Sequence, residues 1–161
     1  MGYILEVAKK TDEEMLQHLM QFYFYDFSEF MDLDVESSGF FSEYPLHVYW
    51  QEEGRYPFKI SSSKGNLIGF ALIRYIKERK TYTVAEFFMM KKYRHLGYGK
   101  AVALELFQKF EGDWEVFQIN TNQPAQRFWR KVIAEHTKGD FIEKQFENKT
   151  FQMFKSESGD T

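Results

Sequence analysis

The chain has 161 residues, 43% of them apolar, which one domain with one ordinary core accounts for. It contains no cysteine, so a disulfide framework, a thiolate metal site and a cysteine nucleophile are all excluded. A net charge of −3 argues against a general nucleic-acid or membrane-surface partner. The start lacks a basic stretch ahead of an apolar run and carries Glu6 where a myristoylation signal wants serine or threonine, which reads as a soluble cytoplasmic protein.

Tyr3 to Val7 reads as a first strand, and Thr11 with Glu14 three residues later forms a capping-box pattern that starts a helix near Asp12. Leu16, Leu19, Met20, Tyr23 and Phe27 keep the spacing of one helical face, which predicts packing on a sheet. Up to about Glu53 the chain is aromatic, acidic and irregular, with a short helix expected around His47 to Gln51. Residues 21–46 hold no lysine or arginine, while Asp26, Glu29, Asp32, Asp34, Glu36 and Glu43 all fall there.

Arg55 to Ser62 and Leu67 to Ile76 are extended runs joined by the glycine-containing turn Ser63-Lys64-Gly65-Asn66. A second turn at Glu78-Arg79-Lys80 leads into Thr81 to Met90, which is rich in β-branched and aromatic residues, so three antiparallel strands follow. Ala103, Leu106, Phe107 and Phe110 then repeat at helical intervals up to Gly112, expected to end that helix in a left-handed conformation. Trp114 to Asn120 reads as the next strand, a parallel neighbour of the preceding one because a helix intervenes, which makes the sheet mixed. Pro124 opens another helix with Ala125, Phe128, Trp129 and Val132 on its buried face. A closing hairpin is expected from Phe141 to Glu147 and Thr150 to Phe154, around Asn148-Lys149, giving one domain over 1–155 and a frayed polar tail over 156–161.

Arg94-His95-Leu96-Gly97-Tyr98-Gly99 lies between a predicted strand and a predicted helix. Its amide groups therefore point out at the positive end of a helix dipole, a geometry that binds phosphate oxygens. Gly97 and Gly99 allow close approach of the backbone to a diphosphate, and Lys91, Lys92, Arg94 and Lys100 add positive charge in a stretch without carboxylates. A Walker A loop would need glycine at 94 and a hydroxyl at 101, where Arg94 and Ala101 stand, and the dinucleotide fingerprint would need glycine or alanine in place of Val102.

The Arg-x-x-Gly-x-Gly pattern at 94–99 resembles the acetyl-CoA motif of the GNAT acetyltransferase superfamily. Upstream, Glu86-Phe87-Phe88-Met89-Met90 is similar to that family's fourth strand, and downstream Asn122-Gln123-Pro124-Ala125 with Phe128-Trp129 is similar to its next conserved block. The three blocks span 81–133 in the family's order and spacing. The resemblance implies the GNAT fold of mixed α/β class: a mostly antiparallel sheet with two parallel splayed strands, flanked by helices.

It also implies a cosubstrate and a reaction. Acetyl-CoA would lie where the fourth and fifth strands splay, with its pantetheine arm on the backbone near Met89. The amides of His95, Leu96, Gly97, Tyr98, Gly99 and Lys100, beside Arg94, would hold the diphosphate, with Asn122 reaching the pantetheine and Phe128 walling the cleft. A neutral amine would attack the thioester directly. Glu86, the acid on the bordering strand, is the candidate proton acceptor; the alternative is a partly buried glutamate in a structural hydrogen bond or ion pair. A backbone amide near Met89 or Met90 would meet the charge developing on the carbonyl oxygen.

Many family members place a tyrosine seven residues after the asparagine to protonate the leaving thiolate. Here that position is Trp129, whose indole donates hydrogen bonds but is no usable acid. Tyr93, Tyr98, water, or departure without protonation are the remaining routes.

The first helix and the segment after it wall the acceptor pocket in this family. Tyr25, Asp26 and Glu29 are the candidate substrate contacts for a cationic amine in a small molecule or a peptide. The alternative is a helix with a buried aromatic face and a solvated acidic one. His18, His47, His95 and His136 show no metal-ligand spacing, so no metal is expected. Edge strands would permit a homodimer. A noncatalytic acyl-CoA-binding module and an interaction protein that kept only the fold are the competing functional readings.

Overall fold

The computed structural model describes residues 2–157. Seven strands, β1 (Tyr3–Val7), β2 (Arg55–Ser62), β3 (Leu67–Ile76), β4 (Thr81–Met89), β5 (Gly112–Ile119), β6 (Ile142–Phe146) and β7 (Lys149–Ser156), form one sheet in the order β1-β2-β3-β4-β5-β7-β6. Every neighbouring pair is antiparallel except β4 and β5, which are parallel. Helices α1 (Glu13–Phe27) and α2 (Val48–Gln51) cover one face, and α3 (Tyr98–Lys109) and α4 (Gln123–Thr137) cover the other. The mixed sheet and splayed pair match the fold expected from the sequence.

Alternation along the strands produces the two cores. Phe70, Leu72 and Phe88 face α1 and join Leu16, Leu19 and Met20, the positions whose spacing marked that helix face. Ala71, Ile73, Val84 and Met89 face the other way and join Val102, Leu106, Phe107, Trp129 and Val132.

Three local expectations differ. The Thr11 and Glu14 capping box does not form; a 3-10 turn over Lys10–Asp12 precedes α1, and the Lys9 N–H donates to the Asp12 carboxylate at 2.8 Å. Asp12 is also bound to Lys59, a strand residue, so tertiary contact selects the cap. Gly112 does not close α3, which ends at Lys109; with φ of 135° it opens β5 instead. The closing hairpin turns at Glu147-Asn148 rather than Asn148-Lys149, and Ser156 belongs to β7, its hydroxyl donating to the Phe107 carbonyl. Of the expected tail, residues 158–161 lie outside the described residues.

Two features of β4 position the site. Its register with β3 slips between Leu72 opposite Glu86 and Ile73 opposite Val84, so Ala85 is a bulge that bends the strand. Its pairing with β5 stops at Thr83 opposite Glu115, although β4 runs on to Met89 and β5 to Ile119. Past that point the two strands diverge and open a cleft through the sheet.

Candidate active site

The cleft is a cavity of about 850 Å³ bordered by residues 84–89 of β4 and 116–119 of β5. At one end the β4–α3 loop forms an amide cradle. Gly97 caps α3 with φ of 90°, a conformation that costs a residue with a Cβ, and His95 also has positive φ at 62°. The first helical N–H taken up by the chain is that of Ala101, which donates to Gly97 at 3.1 Å. Among the described residues, no backbone or side-chain acceptor takes the six N–H groups of His95 through Lys100. These are the orphan donors of a helix start, and they lie at its positive pole.

The side chains of this loop divide. His95, Gly97, Gly99 and Lys100 line the cavity, whereas Leu96 is exposed and Tyr98 packs edge-on against Tyr3 and Tyr93. Leu96 and Tyr98 do not line the cavity, so neither side chain offers it a contact. A Cβ on Gly99 would sit 3.3 Å from the Phe128 ring, so the loop and α4 are in close contact there. Asn122 lines the cavity too, but its side-chain oxygen accepts the Ala125 N–H at 3.1 Å as the N-cap of α4.

Arg94 is turned away from the cradle. Its Nε donates to the Met89 carbonyl at 2.8 Å, its guanidinium pairs with Asp26, and its plane lies over Phe88 with the guanidinium carbon 5.7 Å from the ring centre. Lys91 stands 3.9 Å from the same Asp26 carboxylate. The sequence analysis set Asp26 in the acceptor pocket, but its charge is neutralised at the cradle's edge.

Glu86 lies on the α1 side of β4. The Tyr23 hydroxyl donates to its Oε1 at 2.7 Å and the Tyr44 hydroxyl to its Oε2 at 3.0 Å. Burial raises the Glu86 carboxyl above the ordinary range, while the two phenols, by stabilising the anion, oppose that rise. Burial and the adjoining carboxylate in turn push both phenols well up, so they remain donors. The result is a carboxylate whose proton affinity is increased but which is kept poised by two neutral hydroxyls.

The Met90 N–H donates to the Ile68 carbonyl at 2.7 Å and is committed to the β3 ladder. Because ladder groups alternate in direction, the Met89 N–H turns to the splayed side. Trp129 is buried on the opposite face from Glu86, against Phe87 at 5.0 Å and Phe128 at 4.9 Å between ring centres.

The end of α1 forms a strap across the cleft. Asp26 pins it to the β4–α3 loop, and beyond the helix the Thr121 hydroxyl donates to the Phe30 carbonyl at 2.7 Å, pinning it to the β5–α4 loop. Phe27, Glu29 and Phe30 line the cavity from this strap; Tyr25 is 69% exposed and does not, because it lies about 200° around the helix from Tyr23. Tyr44 and Thr121 sit in irregular segments without periodic signal and were not legible as site residues, and Tyr23, within the stretch expected to wall the acceptor pocket, was not singled out as a partner of Glu86. Among the described residues, no three side chains of metal-ligating type converge, and no helix is long and apolar enough to cross a membrane.

Residues 13–133 match the model of the acetyltransferase (GNAT) family. The chain belongs to the GNAT family. The match runs from α1 to within α4 and so contains the cradle, the splay and Glu86. No curated protein sequence matches the chain.

Solved acetyltransferase structures share its architecture from end to end. Nourseothricin acetyltransferase is 16% identical, with 98% of this chain and 100% of that one covered and a TM-score of 0.61. An acetyltransferase of the GNAT family from Staphylococcus aureus Mu50 is 14% identical, with 96% and 99% covered and a TM-score of 0.66. Spermidine N-acetyltransferase from Vibrio cholerae, solved with CoA and spermine, is 10% identical, with 96% of each chain covered and a TM-score of 0.68. At these identities the likeness is one of fold.

Proposed function

We propose that this GNAT chain is an acetyl-CoA-dependent N-acetyltransferase acting on a primary amine. One observation carries the reading: of the six residues with unpaired amides at the start of α3, His95, Gly97, Gly99 and Lys100 line the same cleft as Glu86. A pyrophosphate suits such a cradle, since consecutive N–H groups at a helix start favour anions and Gly97 supplies the left-handed turn. The thioester supplies an activated acetyl group. The chain orients it with the cradle and the free edge of β4, and Met89 N–H is the donor available to the carbonyl oxygen.

Glu86 takes the proton that an alkyl ammonium must lose before it can attack. The amine nitrogen then bonds to the acyl carbon, the carbon–sulfur bond breaks with its electron pair staying on the sulfur, and the nitrogen gives up its second proton to solvent. The indole of Trp129 has no proton to give at neutral pH, so the leaving sulfur is protonated from solvent or departs as thiolate.

Thiol release from acetyl-CoA across a panel of amines tests this directly. Turnover that Glu86→Gln lowers by about 10²–10⁴-fold, the range for loss of a general base, is the expected result. Trp129 favours a second reading, a noncatalytic acyl-CoA-binding module; CoA binding by calorimetry with no amine turned over would replace the first reading with it. Absence of CoA binding would leave an interaction protein that kept only the fold.

A further inference from the structure

The acceptor half of the cleft, on the α1 side of the splay, is walled by Tyr23 and Phe27 of α1, Phe30 of the strap and Phe117 of β5, with Glu86 among them. The strap is pinned at both ends, so these rings form a half-open chamber beneath it. Three carboxylates border the cavity among the described residues, and their states differ. Asp26 is spent on Arg94 and Lys91, and Glu86 accepts a phenol hydrogen on each oxygen. Glu29 is exposed and makes no ion pair among the described residues. Of the cations that border the cavity, Lys91 and Arg94 pair with Asp26, and Lys100 pairs with Glu135 at 2.7 Å.

A polyamine lodged here would leave its further ammonium groups against rings, where no interior carboxylate is free to offset their desolvation. A monoamine carries one ammonium, and that is the group Glu86 must deprotonate. From this we infer that the acceptor is a primary monoamine on a short aromatic or otherwise apolar arm, the arm lying against Phe30 and Phe117. The inference rests on the N-acetyltransferase reading and names its substrate class. Acetyl transfer forms the nitrogen–carbon bond, breaks the carbon–sulfur bond with the electron pair staying on sulfur, and sends the ammonium proton to Glu86 and the second nitrogen proton to solvent.

The test sets phenethylamine and tryptamine against putrescine and spermidine in the thiol-release assay, with the full chain at saturating acetyl-CoA. Phenethylamine or tryptamine should give kcat/KM at least about tenfold higher, the discrimination a well-filled apolar pocket supplies. Phe117→Ala, at a position 36% exposed, should raise KM for these amines and leave acetyl-CoA affinity in place, with thermal melts checking the fold. A higher kcat/KM for spermidine, with a KM that Glu29→Gln raises, overturns the inference and retains the acetyltransferase reading. Calorimetry of phenethylamine against the CoA-loaded protein separates the remaining outcomes. Binding that Phe117→Ala weakens, without any thiol release, upholds the chamber and removes the enzymatic reading; no binding and no turnover of either arylalkylamine overturns the inference.

Discussion

Tyr23→Phe removes one hydroxyl and nothing else from the wall of the cleft, and its effect follows from the contact it deletes. The Tyr23 hydroxyl donates to Glu86 Oε1 at 2.7 Å and stabilises the ionised carboxylate. A hydrogen bond to a charged group contributes about 1.5–3 kcal/mol. At 1.4 kcal/mol per decade, its loss makes proton binding to Glu86 roughly ten- to a hundredfold tighter. Burial already raises that carboxyl, so the change adds to an existing shift in the same direction. If Glu86 must be ionised to accept the amine proton, the acid limb of the kcat/KM profile moves to higher pH. Tyr44→Phe, which deletes the 3.0 Å bond to Oε2, moves it the same way. Initial rates of thiol release against pH measure the shift, and thermal melts check that both variants are folded. An acid limb that stays in place in both folded variants would refute Glu86 as the proton acceptor.

Gly97→Ala forces a Cβ into a conformation with φ of 90°, costing about 1–2 kcal/mol in the loop that presents the amides, and acetyl-CoA affinity should fall while circular dichroism keeps α3. Asp26→Asn removes a negative charge from the edge of the cradle and frees Arg94, so calorimetry should show acetyl-CoA binding tighter by a few-fold; weaker binding would mean the ion pair holds the loop in shape. Trp129→Phe should leave the basic limb of the kcat profile in place, since an indole is no acid in the neutral range, and a lost limb would assign the ring a proton-transfer role. His136, packed between Phe107 and Phe154, has its proton affinity lowered by burial. Its folded-state value lies below the unfolded one, so stability is intact above about pH 6.5 and declines as pH falls through the folded value. Melts should show that loss above the range where Asp12 and Glu143 titrate, both held low by hydrogen bonds to their partners, and His136→Gln should remove it.

Much of the architecture is legible along the chain because the forces that make it act between near neighbours. The face of α1 shows in the spacing of Leu16, Leu19, Met20 and Tyr23, since a helix returns to the same side every three or four residues. The amide cradle shows in Gly97 and Gly99 between a strand and a helix, because a helix start leaves its own N–H groups unpaired whatever surrounds it. What the residues do to one another across the fold is not written there. Glu86 is legible as an acid on a strand, yet its two phenol donors come from 63 and 42 residues away, one on a helix face and one in an aperiodic loop.

Asp26 shows the same division from the other side. Its place in an acidic, aromatic stretch marked it for a cationic acceptor, but the fold carries it across 68 residues of sequence to Arg94, and neutralisation there removes its charge from the chamber. Local sequence determined the strands, the helices and the loop with free donors, because periodicity and backbone hydrogen bonding are settled within a few residues. The tertiary structure alone decided which charges are cancelled and which remain, because cancellation depends on distances between side chains that only the packed sheet brings together.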